Sequence, residues 1–197
     1  EETQSMSSAD ISGPSVDSEM TENQLRIFRE LAIAANELLP VGDTLHLLMD
    51  VLGRHYGSVK ARVVALLETD IEGETEYAWQ HPEKFKPHLH DQAWSERLTD
   101  VLSRKIDPYI IHDVPAHHDL HPYFPDLKPG IRGYVGAPIR IENIYSAAIE
   151  FLFDSPISNQ PGTLEVLNHG VALIGLVIER SRAQARLRES ERRFRGL

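Results

Sequence analysis

Between Gly133 and Phe153 the apolar positions alternate with period two, first Val135, Ala137, Ile139 and Ile141, then Ala147, Ile149, Phe151 and Phe153, with Glu142-Asn143 at the break. Successive strand side chains point to opposite faces, so this stretch predicts a hairpin with one buried face. A loop holding Pro156 and Pro161 follows, and the spacing then changes to three and four. Leu164, Leu167, Val171, Ile174 and Ile178 make one stripe, with Val166, Leu173 and Val177 beside it. The pattern predicts one helix over 163–197 that packs on its own domain along one stripe and on another helix along the next. Between Ile178 and Arg195 only Ala183, Ala185, Leu187 and Phe194 are apolar, and the Glu189–Arg193 and Glu191–Arg195 pairs suit an exposed helix end.

Earlier in the chain, Leu25, Phe28, Leu31, Ala32, Ala35, Leu38 and Leu39 share a helical face, with Thr21 or Asn23 as N-cap and Pro40 past the end. A second helix is expected from an Asp43 cap to Gly57, with Leu45, Leu48, Met49, Leu52 and Tyr56 as its stripe. Lys60 to Glu68 reads as a strand whose Ala61, Val63, Ala65, Leu67 face is wholly apolar, and Glu74 to Gln80 as its neighbour across an acidic turn at 70–73. From His81 to Pro129 periodicity is poor, apart from a helical stretch over 92–104 and the apolar run Tyr109 to Ile111. So long an irregular stretch reads as the cover of a binding cavity, or as a solvated insertion. Residues 1–20, with six Ser, five acidic groups and no Lys or Arg, are expected to be a disordered leader.

Composition then narrows the field. No cysteine is present, which removes thiol nucleophiles, disulfides, sulfur-ligated metal and thioether-attached cofactors. The net charge of −10 argues against nucleic-acid binding, since a phosphate backbone is held by Lys and Arg. Residues 179–197 alone carry seven Arg against three Glu, so the basic character belongs to the last helix. No signal-peptide pattern and no membrane-length apolar run occur, giving a cytoplasmic expectation.

The order helix, helix, strand, strand, irregular segment with a helix, strand, hairpin, long helix resembles a GAF domain, a sensory relative of the PAS fold. The likeness is carried by DTLHLLMDVL, ARVVALLE, IIHDVPAHHD, GYVGAPI, SAAIEFLF and TLEVLNHGVALIGLVIER, across residues 24 to 182. It implies an α+β, profilin-like fold: an antiparallel sheet of about five or six strands flanked by N- and C-terminal helices. The domain is expected over 21–182, with 183–197 as a linker helix. Such domains usually have Gly where this chain has Ser146-Ala147-Ala148, and Pro138 falls inside a predicted strand. The terminal LRESERRFRGL resembles the lead-in to a PAS domain, as between modules of bacterial sensor histidine kinases and diguanylate cyclases, so a piece of a larger signalling protein is expected.

Seven of the ten His lie between His81 and His121, including His88, His90, His112, His117 and His118. Imidazoles and carboxylates ligate metals, but no firm helix-spaced pair occurs, so a polar His-rich loop is the plainer reading. Gly130, Gly133 and Gly136 enter a strand from a loop, whereas a dinucleotide fingerprint leaves a strand and opens a helix. Glu150 sits mid-strand with Ala148 and Leu152, and a carboxylate there needs water, a cationic partner such as Arg62, or a cationic ligand group. By the resemblance, the reductase branch of GAF proteins and bilin attachment both need cysteine, and the cyclic-nucleotide signature Asn-Lys-Phe-Asp-Glu is absent. The expectation is therefore a regulatory domain and not an enzyme, without cofactor or metal. Its small-molecule ligand would lie between the sheet and the 81–129 cover, touching Trp79, Trp94, His112, Tyr134 and Glu150. A homodimer is expected through Leu164, Leu167, Val171, Ile174, Ile178 and the first helix. Two alternatives stand beside it: a ligand-free dimerisation spacer, and a metal-dependent enzyme built on the His-rich segment.

Overall fold

The hairpin forms as its alternation requires. In the computed structural model, which describes residues 21–66, 74–84, 96–116, 130–158 and 162–195, β4 (Gly133–Ile141) and β5 (Ile144–Phe153) pair antiparallel. Glu142 and Asn143 both adopt positive φ, 51° and 65°, the geometry of a tight turn whose twist matches the strands. Among the described residues the sheet is antiparallel throughout and has five strands, in the order β2-β1-β5-β4-β3. β1 spans Lys60–Leu66, β2 Glu74–Gln80 and β3 Tyr109–Ile111. Among the described residues β3 pairs only with Tyr134 to Gly136, so Pro138 lies beyond that pairing, near the sheet edge where a missing donor is tolerated.

Three helices cover one face: α1 (Glu22–Asn36), α2 (Val41–Tyr56) and α4 (Thr163–Arg195). Ala61, Val63, Ala137, Ile149 and Phe151 pack there against Ile27, Leu31, Leu48, Leu52, Val166 and Ile174. α3 (Glu96–Ser103) lies on the opposite face with Leu102 fully buried. Arg140 holds the C-terminal end of α3 in place, donating from Nη2 to the Ser103 carbonyl at 2.7 Å and from Nε to that of Lys105 at 3.2 Å. Carbonyls left over at a helix end take a cation well.

Three expectations are corrected. α1 is closed at its start by a capping box between Thr21 and Gln24, but it ends at Asn36, and Glu37 is already extended. Leu38 and Leu39 are therefore exposed in the connection instead of lying on the helix stripe. Val41 follows Pro40 directly into α2, so Asp43 stands in the first turn and does not cap it. In α4, Leu167, Ile174 and Ile178 are buried in the protomer's own core, and so are Val166 and Val177 of the neighbouring stripe. Both stripes thus serve one domain, because α4 lies in the groove between helices α1 and α2 and also against the sheet. Of the residues expected at a dimer seam, Leu164 is exposed and Val171 half-buried.

The leader at 1–20, the turn at 70–73, Leu67 and Glu68, Trp94, and His88, His90, His117, His118 and His121 lie outside the described residues.

Candidate functional site

On the face away from the three-helix layer the sheet centre is charged. Register sets Glu150 of β5 opposite Arg62 of β1 on one side and Gly136 of β4 on the other. Arg62 Nε donates to Glu150 Oε2 at 2.5 Å, and its Nη1 donates to Glu76 Oε2 of β2 at 3.4 Å. Tyr134 reaches across from β4 and donates its hydroxyl to Glu150 Oε1 at 2.7 Å. Arg62, Tyr134 and Glu150 are all buried. Gly136 is what permits the reach, since a Cβ at that position would strike the Tyr134 hydroxyl and come within 2.9 Å of Leu102. The water reading of Glu150 therefore gives way to the arginine pair: strands β1 and β5 are neighbours, so the cation is delivered by register.

Electrostatics follow from burial. Desolvation raises the Glu150 carboxyl above the ordinary carboxylate range, and Arg62 and the Tyr134 hydrogen bond pull against it without cancelling it. Tyr134 is pushed well up by burial and by the adjacent Glu150, so its hydroxyl stays a donor. Lys60, two residues before Arg62 on the same face, is lowered by desolvation, with Glu76 opposing. A buried ion pair of this kind costs much in desolvation and becomes costly indeed if one partner is removed.

Of the five residues expected at one site, the four among the described residues do not all meet. Tyr134 and Glu150 do, through the hydrogen bond above. Trp79 lies on the other face, where its indole Nε1 donates to Asp50 of α2 at 2.9 Å and its ring packs over Gly53. The alternation within β2 already separates Thr75, Tyr77 and Trp79 from the more polar Glu74, Glu76 and Gln80, and the pairing of Trp79 with Ala61 and of Tyr77 with Val63 turns the first set to the helices. His112 stands past the end of β3, with Nδ1 3.0 Å from the Ile157 carbonyl, beside a separate cavity. Trp94 is outside the described residues. Among the described residues no group of three His, Asp or Glu converges as a metal site, and no helix is long and apolar enough to cross a membrane.

One element escaped the period-two reading. Ile139 pairs with Ala147 while Arg140 pairs with Tyr145, so Ser146 is an extra residue in β5, a β-bulge. A bulge turns a residue out of the ladder and re-aims it. Arg182 of α4 takes up what is released, donating from Nη1 to Ser146 Oγ at 3.1 Å and from Nη2 to the Ser146 carbonyl at 3.4 Å. Ser146 is buried, and its hydroxyl donates in turn to the Ile144 carbonyl at 3.2 Å. One strand therefore carries Glu150 at its centre and, four residues earlier, the grip on α4.

No protein-family profile matches this sequence, and no curated protein matches it. Solved structures do match in fold. The GAF domain of the phosphoenolpyruvate-protein phosphotransferase from Acinetobacter superposes with a TM-score of 0.62 at 12% identity, over 83% of this chain and 97% of that one. The phycocyanobilin-bound GAF domain of a cyanobacterial phytochrome gives 0.61 at 12% identity, over 84% and 98%. Free methionine-R-sulfoxide reductase from Neisseria meningitidis, in complex with its substrate, gives 0.57 at 12% identity, over 84% and 95%. The chain has the GAF fold.

Proposed function

We propose that this chain is a sensory or regulatory domain of a signalling protein, which binds a small molecule at the charged face of its sheet and passes the event along α4. The observation that carries the reading is the double use of β5: Glu150 is tied to Arg62 and Tyr134, and Ser146 is tied to Arg182 where the helix leaves the domain. A ligand that competed for Glu150 or Arg62 would change the strain on β5 and so the hold on α4. Occupancy shifts an equilibrium only where the two states bind the ligand with different affinity. The two states of this proposal are the helix gripped by Arg182, as the contact to Ser146 has it, and the helix released. Beyond Arg182 the helix is mostly exposed and rich in arginine, as suits a rod that meets a second copy or a following kinase or cyclase module.

Structures with this fold include a pigment-bound photoreceptor domain and a reductase. Fold alone does not choose between such roles. The sequence has no cysteine, so thiol chemistry and thioether attachment are closed to it. A second reading, a ligand-free spacer, is favoured by the fact that Glu150 is satisfied by the chain's own side chains. A thermal-shift screen of polar metabolites separates the two. Stabilisation by one compound class, diminished in Tyr134→Phe, supports sensing; silence across all classes supports the spacer.

A further inference from the structure

At the N-terminal end of α4, well before the Arg182 grip, a cavity of about 400 Å³ opens between the C-terminal end of α2, the ends of the central strands and the first turn of α4. It lies on the helix side of the sheet, away from Glu150. Its floor is apolar: Ile110, Val135, Phe153 and Leu167 line it, together with Tyr56, whose hydroxyl is already spent on the Thr163 carbonyl at 2.7 Å. Its rim carries His55, His112 and Glu165. An apolar chamber of this size with a few polar groups at one side is the usual form of a small-molecule site.

The rim is a set of acceptors. A carbonyl only accepts, so the 3.0 Å contact between His112 Nδ1 and the Ile157 carbonyl places a proton on Nδ1, and in the neutral ring Nε2 is then the acceptor. Burial and, behind it, the charge of Arg26 shift His55 toward its neutral form, in which the imidazole offers a lone pair as well. Arg26 itself is occupied by Glu30 and Asn23. Glu165 adds a carboxylate, one oxygen of which accepts from Gln24 Nε2 at 3.1 Å. The first turn of a helix favours an anion, but Glu165 stands in that turn of α4 and supplies the negative charge.

We infer that this cavity is a second binding site, separate from the charged face, and that it takes small amphipathic amines: an apolar ring or chain on the floor, and an ammonium or other donor head among His112, His55 and Glu165. Since the cavity is walled by Gly162 to Glu165, its occupant would bear on the beginning of the helix that Arg182 holds further along.

The test uses the whole chain and three probes of matched size, benzylammonium, benzyl alcohol and benzoate, titrated by ¹H–¹⁵N NMR. Benzylammonium is expected to give saturable shifts at Ile110, His112, Val135 and Leu167, with affinity about tenfold above benzoate, the worth of one charge-assisted hydrogen bond. Ser155→Trp, at the exposed rim, should abolish the shifts by filling the mouth. His112→Phe keeps the ring and should weaken benzylammonium several-fold while leaving benzoate unchanged, and Glu165→Gln should erase the preference for the cation. Equal binding of benzoate, shifts that map to Tyr134 and Glu150 instead, or no saturable shift with any probe would each overturn the inference. Failure here leaves the reading of the charged face standing, because the two sites report through different resonances.

Discussion

The two faces of one sheet solve the burial problem in different ways. Toward α1, α2 and α4 the strands present Ala61, Val63, Ala137, Ile149 and Phe151, stabilised by removal of apolar surface from water and by close packing. Toward α3 the same strands present Arg62, Glu76, Tyr134 and Glu150, in a network that is stable only while every member keeps its partner. An apolar face degrades gradually as atoms are removed. A charged one fails when a single group is lost, yet tolerates the loss of the whole set.

Removing Arg62 should have the largest effect. Arg62→Met leaves Glu150 buried without its cation and is expected to cost about 3–5 kcal/mol in urea denaturation. Pairing it with Glu150→Leu should recover most of that loss, since both charges then disappear together. The comparison breaks if the double variant is no more stable than the single one.

On the other face Ile149→Ala is expected to cost about 2–5 kcal/mol through a cavity against the helices. No second truncation should restore it, and a rescue would show that the apolar face is also a network. Tyr134→Phe keeps the ring and removes one hydrogen bond to a carboxylate, a smaller loss of about 1–3 kcal/mol.

The smallest effect is on pH dependence, where the two faces should lean in opposite directions. Glu150 is raised above its ordinary 4.5 by burial. Just above that pH the native state binds more protons than the unfolded chain, so this position's contribution falls as pH rises through the window. His55 is lowered from 6.5 by burial and Arg26. Just below 6.5 the unfolded chain binds more protons, so its contribution is present above that value and is lost as pH falls. Glu150→Gln should therefore steepen the acid loss of stability and His55→Gln should flatten it, read as the slope of unfolding free energy between pH 4.5 and 6.5.

Much of this was legible in the chain. Alternation set the phases of β4 and β5, Glu142-Asn143 marked the turn, and Gly57 closed α2 in the left-handed conformation, φ 69°. The three-and-four spacing from Leu164 to Ile178 identified α4, and the proximity of Arg62 to Glu150 followed once β1 and β5 were neighbours. What remained hidden depends on pairing. Trp79 shares its phase in β2 with Tyr77 and not with Glu76, a signal that the site expectation passed over, whereas a bulge at Ser146 cannot be seen in a pattern that continues through it. The stripe of Leu167, Ile174 and Ile178 showed that α4 is buried, but a stripe does not say whether its own protomer or another one covers it. The cavity beside His112 is assembled from α2, β3, the loop after β5 and α4, with no local signature at all.

The central claim is that β5 joins the charged face to the outgoing helix. Hydrogen exchange along α4 tests it most directly, comparing the parent chain, Tyr134→Phe, Arg182→Ala and the double variant. Faster exchange at residues 178–186 in Tyr134→Phe, beyond what its loss of global stability explains and absent when Arg182 is already gone, is the predicted result. Exchange in that segment that follows global stability alone, whether or not Arg182 is present, would contradict it.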